Sequence, residues 1–414
     1  MDKDTTKSTF NEVLNQFPYE KFRSLIKDTG ADRYIKKLFT IKLLYIMFIA
    51  QITQIESIRA LAKKITNDID LQANLKIDSI SASQLSRRLK EMSSDFWGTV
   101  FTQVAKIAMQ KTTNSSSATP NADRIHIIDA STITLCLNSY LWADYRQTKA
   151  GVKIHQCLVY QNDYSYPDRA ILTTARKSDK SQLDELLITD PNALYVFDRG
   201  YVDYKKWDDY CDAGIRFVTR IKDNFIINTI DEKPVDGTNM TESIVLLGDP
   251  KKTIMRHQLR LIHTVDTKGK PVIILTNDFK MSALEISEIY RSRWKIELFF
   301  KWVKQHLKVK KFYGQSANAV YSQIWLALIT YCLLLLTQIN LKTKKSLLDI
   351  QRLLKDNLFK PFSVFLSLLR RESTKTSRGR QKNDYNREFE QLLEQVESGA
   401  SNFLDTYDVE LNCL

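Results

Sequence analysis

The stretch RIHIIDAST, Arg124 to Thr132, is where the chain changes character. Upstream, segments such as TIKLLYIMFIAQIT (40–53) and SASQLSRRLKEM (81–92) repeat apolar residues at helical spacing. Here a short apolar run reads as a β-strand, and Asp129 sits inside it. An ionised carboxylate beside a core is costly unless it is paired or holds a metal. GVKIHQCLVY (151–160) alternates as a second strand, and RAILTTA (169–175) reads as a third. SDKSQLDELL (178–187) is expected to be a helix capped by Ser178. ALYVFDRGY (193–201) is a buried strand ending in a turn, with Asp198 at its end. DYKKWDDYCDAG (203–214) is a helix stopped by Gly214, and IRFVTRIK (215–222) is a further strand. Three strands, a helix, then strand–helix–strand predict an α/β fold, a mixed sheet covered by helices. Sites collect at the C-terminal ends of strands in such sheets, which draws attention to Asp198.

Outward from this core, residues 1–110 read as all-helical. Residues 111–123, KTTNSSSATPNAD, form a polar linker. The core runs over 124–222. Residues 223–280 carry strand-like runs (FIINTI, SIVLLG, TIMRHQLRLIHTV, PVIILTND) with turns at DPKK and TKGK, a β-rich insertion. Helices resume over 281–340, and 341–414 is a C-terminal helical region with a basic linker at 370–387 ahead of a last helix, EFEQLLEQV.

The chain has 414 residues, 43% of them apolar and 26% charged, ordinary for a globular protein. The net charge of +13 is not ordinary, and it points to a polyanion partner. Five cysteines without a CxxC pair argue against a zinc ribbon or a disulfide framework. The polar N-terminus lacks the apolar core of a signal peptide. LLYIMFIA (43–50) is too short to span a membrane, and IWLALITYCLLLLTQI (324–339) falls just under spanning length; both read as buried helices.

YRSRWKIELFFKWVKQHLKVKKFYG (290–314) reads as a helix with eight Lys or Arg and a single acid, Glu297. A capping box, Ser282 with Glu285, marks its start. At about 100° per residue, Tyr290, Arg293, Glu297 and Lys304 share one stripe beside an apolar one. Asp129, Asp198 and Glu297 thus form a set of carboxylates without a His/Cys cluster. That donor set favours Mg2+ or Mn2+ over zinc, and two such ions suit an in-line phosphoryl transfer.

These residues carry a resemblance. Y-x2-R-x3-E-x6-K, met by Tyr290, Arg293, Glu297 and Lys304, is the signature of the IS4-type insertion-sequence transposases, a branch of the DDE transposases. IIDAST and VFDRGY look like that family's two Asp motifs, and FNEVLNQFPYEKFRSLIKDTGADRYIKKL resembles its helical leader. The resemblance covers about residues 8–370. It implies an RNase H-like catalytic core in two parts around the insertion, with Asp129, Asp198 and Glu297 as catalytic metal ligands. It implies phosphate contacts for Tyr290, Arg293 and Lys304; Arg199 is added here as a neighbour of Asp198, with a salt bridge as its other reading. The implied activity is metal-dependent cutting of element ends and strand transfer by a cut-and-paste route in the bacterial cytoplasm, at the nucleoid. The implied partners are double-stranded DNA, as terminal inverted repeats and target, and a second copy in a homodimer, with no membrane. The helical region 1–110 would serve end binding or dimerisation. Some relatives stack a flipped base on a Trp in the insertion. No Trp lies between Trp207 and Trp294 here, so an aromatic such as Phe225 would have to serve. Lys149, Lys153 and His155 either face DNA or are ordinary surface residues. The competing readings are an RNase H-like nuclease without strand transfer and a non-catalytic DNA-binding relative.

Overall fold

A computed structural model describes residues 7–114, 124–161, 164–201, 203–221, 225–265 and 271–371. The TKGK turn, most of the polar linker and the chain beyond 371, with its expected last helix, lie outside the described residues. Helices α1 (Thr9–Leu14), α2 (Tyr19–Thr29), α3 (Thr40–Thr53), α4 (Ile58–Asn67), α5 (Ile69–Leu75), α6 (Ala82–Glu91) and α7 (Ser94–Asn114) come first. Strands β1 (Arg124–Leu135), β2 (Asp144–Arg146), β3 (Lys149–Gln161) and β4 (Tyr164–Thr174) follow. After them come α8 (Leu183–Leu186), β5 (Ala193–Phe197), α9 (Tyr204–Asp212) and β6 (Arg216–Arg220). Then come β7 (Ile227–Pro234), β8 (Thr241–Asp249), β9 (Thr253–Ile254), β10 (Leu259–Val265) and β11 (Pro271–Thr276). Helices α10 (Ala283–Ser292), α11 (Trp294–His306), α12 (Ala317–Asn340), α13 (Leu347–Asn357) and α14 (Phe362–Arg370) complete the described chain.

The strands form one mixed sheet in the order β2-β3-β1-β5-β6-β11-β10-β8-β7, with β4 on β3 and β9 on β8. β1, β5 and β6 run parallel, and β11 is antiparallel to β6. The strands of 223–280, set apart as an insertion on sequence pattern, therefore continue the central sheet. β6 would otherwise expose unpaired N–H and C=O groups along one edge, and β11 satisfies them. Alternation along the strands gives the sheet two cores. Ile127, Val196, Val218 and Ile274 face α12 and the N-terminal helices, while Ile128, Phe197, Phe217 and Leu275 face Trp207 and Tyr210 of α9.

The N-terminal helices share their core with the sheet, because α12 needs cover on every side. This helix is 24 residues long and apolar enough to cross a membrane, yet 94% of its apolar window is buried inside the protein. Helices α3, α6 and α7 pack against it, as does β4. Gly98 of α7 allows the close approach, since a Cβ there would stand 3.3 Å from the Trp325 ring.

Three elements depart from the sequence expectation, each because a side chain is recruited elsewhere. The helix expected over 178–187 shrinks to a 3-10 turn, Lys180–Gln182, and α8. Asp179, beside the expected Ser178 cap, is drawn to Lys153 at 2.9 Å. The strand expected across TIMRHQLRLIHTV breaks at Arg256 and His257, whose backbone N–H groups donate to Asp208 at 3.0 Å. The long helix of 282–314 divides at Arg293. Here i→i−3 bonds, Arg293 N–H to Tyr290 O and Ile296 N–H to Arg293 O, tighten the winding, and the Ser292 hydroxyl donates to Ile289 O. Beyond His306 the chain leaves the helix for side-chain partners. Gln323 of α12 donates to Lys308 O and Lys311 O and accepts from Tyr313 N–H, while Gln51 of α3 accepts from Lys308 N–H.

Gln323 is fully buried, and Gln323→Leu leaves Lys311 O and Tyr313 N–H without these partners at a cost of roughly 1–3 kcal/mol per unpaired group. The thermal unfolding midpoint of this variant is expected to fall by several degrees. An unchanged midpoint would show that this network does not hold the segment after α11.

Candidate active site

Sheet register brings the first two acids together. Ile128 pairs with Phe197 across the parallel β1–β5 ladder, and Phe197 pairs with Thr219 of β6. The next residue on each chain, Asp129, Asp198 and Arg220, therefore stands at one level on adjacent strands spaced about 4.8 Å apart. All three fall on the face covered by α10 and α11. Asp198 lies just past the end of β5, where its Oδ1 accepts from the Arg199 N–H at 2.7 Å. Asp129 Oδ1 accepts from the Ala130 N–H at 2.8 Å.

Helix α11 brings the third acid and lies over β1. Lys304 Nζ donates to Thr132 O at 2.8 Å. Glu297 to Lys304 spans ~10 Å of helix, and Asp129 to Thr132 spans ~10 Å of strand, so the lysine staples α11 with its acid over Asp129. Between the acids stands Arg293. Its Nη2 lies 2.7 Å from Glu297 Oε1 and its Nη1 lies 3.7 Å from Asp129 Oδ2. The three side chains are only 18% (Arg293), 24% (Asp129) and 26% (Glu297) exposed.

The electrostatics follow from that crowding. Burial pushes Asp129 up to about 7; Arg293 and the Ala130 N–H oppose the rise, and the charges of Glu297 and Asp198 add to it. Burial likewise raises Glu297, against the pull of Arg293 and with a push from Asp198. Burial works against the Arg293 charge, but Glu297, Tyr290 and the two aspartates outweigh it and hold its pKa above the ordinary value. Burial raises Tyr290, and the nearby Arg293 charge opposes the rise.

The structure thus gathers Asp129, Asp198, Glu297, Arg293 and Tyr290, with Lys304 tied to the strand beside them and Arg199 exposed on the turn after Asp198. Arg220 joins them and was missed in the sequence reading. Its signal was the one used for Asp198, a polar residue at the C-terminal end of a buried strand, and its charge acts on Tyr290. Lys153 and His155 are not part of the site. Lys153 pairs with Asp179, and His155 is fully buried against Thr173. Phe225 packs edge-on to Tyr204 at 5.6 Å, which commits it to the α9 core.

Three carboxylates around a guanidinium make a donor set that already accommodates a cation, and its hard oxygens suit Mg2+ or Mn2+. They spread around Arg293. Among the described residues, the group of His, Cys, Asp and Glu whose donor atoms lie within 4.8 Å is instead His126, Cys157 and Asp168. That group is on the opposite sheet face and already holds a cation. Arg169 sits 2.9 Å from Asp168, while burial lowers His126 to about 4 and raises the Cys157 thiol.

The family model described as Transposase DDE domain matches residues 120–333, and a domain family of unknown function matches 5–75. A transposase named for insertion sequence element IS5377 of Geobacillus stearothermophilus is 28% identical over 81% of this chain and 85% of its own length. Transposase y4zB of Sinorhizobium fredii is 34% identical over 47% of this chain and 55% of its own. One named for element IS4SA of Synechocystis is 29% identical over 39% and 46%. Among solved structures, the piggyBac transposase synaptic complex with hairpin DNA aligns with 90% of this chain and 84% of that one, at TM-score 0.44 and 13% identity.

A folded-state pKa raised above the unfolded value gives stability that is present at low pH and lost as pH rises through the folded pKa. For Asp129 that window runs from its ordinary 3.8 to about 7. Asp129→Asn, without added metal, is therefore expected to unfold at a higher temperature than the wild type at about pH 8, with the gap closing toward about pH 4. Parallel melting curves across this range would contradict the burial of the Asp129 carboxylate.

Proposed function

Because the chain belongs to the DDE transposases of insertion sequences, of the IS4 type, we propose that it cuts the ends of its element and joins them to target DNA. In this reading Asp129, Asp198 and Glu297 hold two divalent ions, Mg2+ or Mn2+. When bound, these supply positive charge to the attacking and leaving oxygens of phosphoryl transfer. The observation that carries the reading is the Arg293 guanidinium shared by Asp129 and Glu297 beside Asp198.

The chain's own groups bind and orient the polyanion. Arg293 offsets part of the negative charge of the acids in the DNA-free protein and is free to turn to a phosphate once a divalent ion takes that role. Tyr290, half-buried beside Arg293, lines the way to that guanidinium. Arg220 stands beside Asp198 on the next strand, and Arg199 projects from the exposed turn, so the two flank the path of the DNA backbone. Lys304 seats α11 and lies where a neighbouring phosphate would pass. Cutting breaks a P–O bond with water as nucleophile and leaves a 3′-OH. Once the complementary strand at the end is broken as well, so that the element leaves its flank, that hydroxyl forms a P–O bond with target DNA as the target's own linkage breaks, the cut-and-paste outcome. Two copies, one per element end, give the homodimer this sequence of events requires.

The deciding experiment incubates the protein with labelled duplexes from the DNA flanking its gene, with Mg2+ or Mn2+, and maps cuts at nucleotide resolution. A discrete metal-dependent cut at an inverted repeat is expected, and Glu297→Gln should abolish it. Equal cutting by the variant would overturn the assignment of Glu297. Arg220→Ala is expected to slow the cut by roughly 100- to 1000-fold, the range for losing a donor aimed at developing charge. Full activity in that variant would place Arg220 outside the site.

A further inference from the structure

We propose that Tyr201 positions Asp198 from behind the sheet, and that its hydroxyl and His155 Nδ1 share one internal water molecule that ties the turn carrying Asp198 to β3. The positioning role rests on the reading of Asp198 as an ion ligand; the water site does not. Asp198 needs such support because the ladders that join β5 to β1 and to β6 both end at Phe197. Past that point the turn has local bonds. Asp198 Oδ1 accepts from the Arg199 N–H at 2.7 Å, and Asp198 O accepts from the Tyr201 N–H at 3.1 Å. Such bonds fix the shape of the turn and not its place relative to Asp129 on β1.

Tyr201 supplies the anchor. It ends the 3-10 turn Arg199–Tyr201 and is only 2% exposed. Its ring meets Phe197 edge-on, with centres 5.9 Å apart, in the core that also holds Trp207. Its hydroxyl is buried and has no hydrogen-bond partner among the described residues. Burial, followed by the charges of Asp129, Asp179 and Asp198, holds its pKa well above the ordinary value. The phenol therefore keeps its proton and is a donor. A buried donor without a partner is costly.

The matching acceptor stands on β3. His155 is fully buried and pairs with Ala130, the residue after Asp129, so its ring lies on the α9 face of the sheet, the reverse of the acids. Thr173 gives its hydroxyl proton to Thr174 O at 3.0 Å, so its oxygen accepts from His155 Nε2–H at 2.9 Å. Burial lowers His155 to about 4, so the ring is neutral near pH 7 and Nδ1 is a bare acceptor. Nδ1 too is buried without a hydrogen-bond partner among the described residues. It faces Asp179 Oδ1 at 3.6 Å, an acceptor that already takes Lys153 Nζ at 2.9 Å. Two acceptors cannot bond each other; they need a donor between them. The Asp179 charge acts on both His155 and Tyr201. One water molecule completes the set. It donates to His155 Nδ1 and Asp179 Oδ1 and accepts from the Tyr201 hydroxyl, the usual complement of partners for a buried water.

The test has two arms, both on the full-length protein. With divalent metal withheld, urea unfolding of Tyr201→Phe, His155→Leu and the double variant forms a thermodynamic cycle. Tyr201→Phe keeps the ring and removes only the hydroxyl. Each single variant is expected to unfold at a lower urea midpoint than the wild type, and the double variant at no lower midpoint than the less stable single. Additive losses would overturn the shared water. So would a Tyr201→Phe midpoint at or above that of the wild type, because deleting a hydroxyl that has no partner removes a penalty. The second arm measures Mn2+ binding by electron paramagnetic resonance, without DNA and without urea, where every variant is folded. Tyr201→Phe is expected to bind Mn2+ roughly 10- to 100-fold more weakly, the range for losing a group that orients a metal ligand. Unchanged Mn2+ affinity in this variant would overturn the positioning role. If the wild type bound no Mn2+, the reading of the acids as ion ligands would fail and the positioning role with it, while the unfolding cycle still decides the water.

Discussion

Two carboxylates share one guanidinium beside a third, and the surrounding structure is arranged so that they can. Burying acids beside one another is unfavourable unless a cation stands among them. Arg293 fills that role, 2.7 Å from Glu297 and 3.7 Å from Asp129. Parallel register sets Asp129 level with Asp198. Lys304 staples α11 along β1, and Gln51 and Gln323 hold the chain that leaves α11. None of these contacts is strong alone. Together they hold the acids side by side, largely out of solvent. In the proposed reaction this tension is useful, because the same acids gain from a divalent ion while Arg293 gains from a phosphate.

A second constraint is the apolar helix α12. Hydrophobic around its whole circumference, it must be enclosed. The sheet side and the N-terminal helices do this jointly, with α3, α6 and α7 on it and β4 across from them. The result is one continuous core from Phe10 to Ile274. In the proposed function this matters for geometry. Any DNA held by the N-terminal helices is positioned by the same packed helix that supports the acid site.

Much of this was legible in the chain. Asp129 and Asp198 announced themselves as charges in runs that otherwise read as buried strands, and Tyr290, Arg293, Glu297 and Lys304 by their spacing. The capping box at Ser282 formed as its sequence indicates. What the sequence hid depends on partners far along the chain. Asp179 pairs with Lys153, 26 residues upstream, and the helix after it shrank. Asp208 takes the N–H groups of Arg256 and His257, 48 and 49 residues downstream, and a strand broke. Arg220 drew no attention in the chain, and only the β5–β6 register places it beside Asp198. The strands of 223–280 looked like a separate unit because local pattern does not reveal which edge a strand will join.

The most direct test of the cation-seeking acid cluster is diffraction from crystals grown with Mn2+, using the anomalous signal of manganese. Peaks bounded by Asp129, Asp198 and Glu297, with the Arg293 side chain moved off Glu297, are the expected result. Crystals in which the Arg293–Glu297 contact persists and manganese lies elsewhere would contradict it.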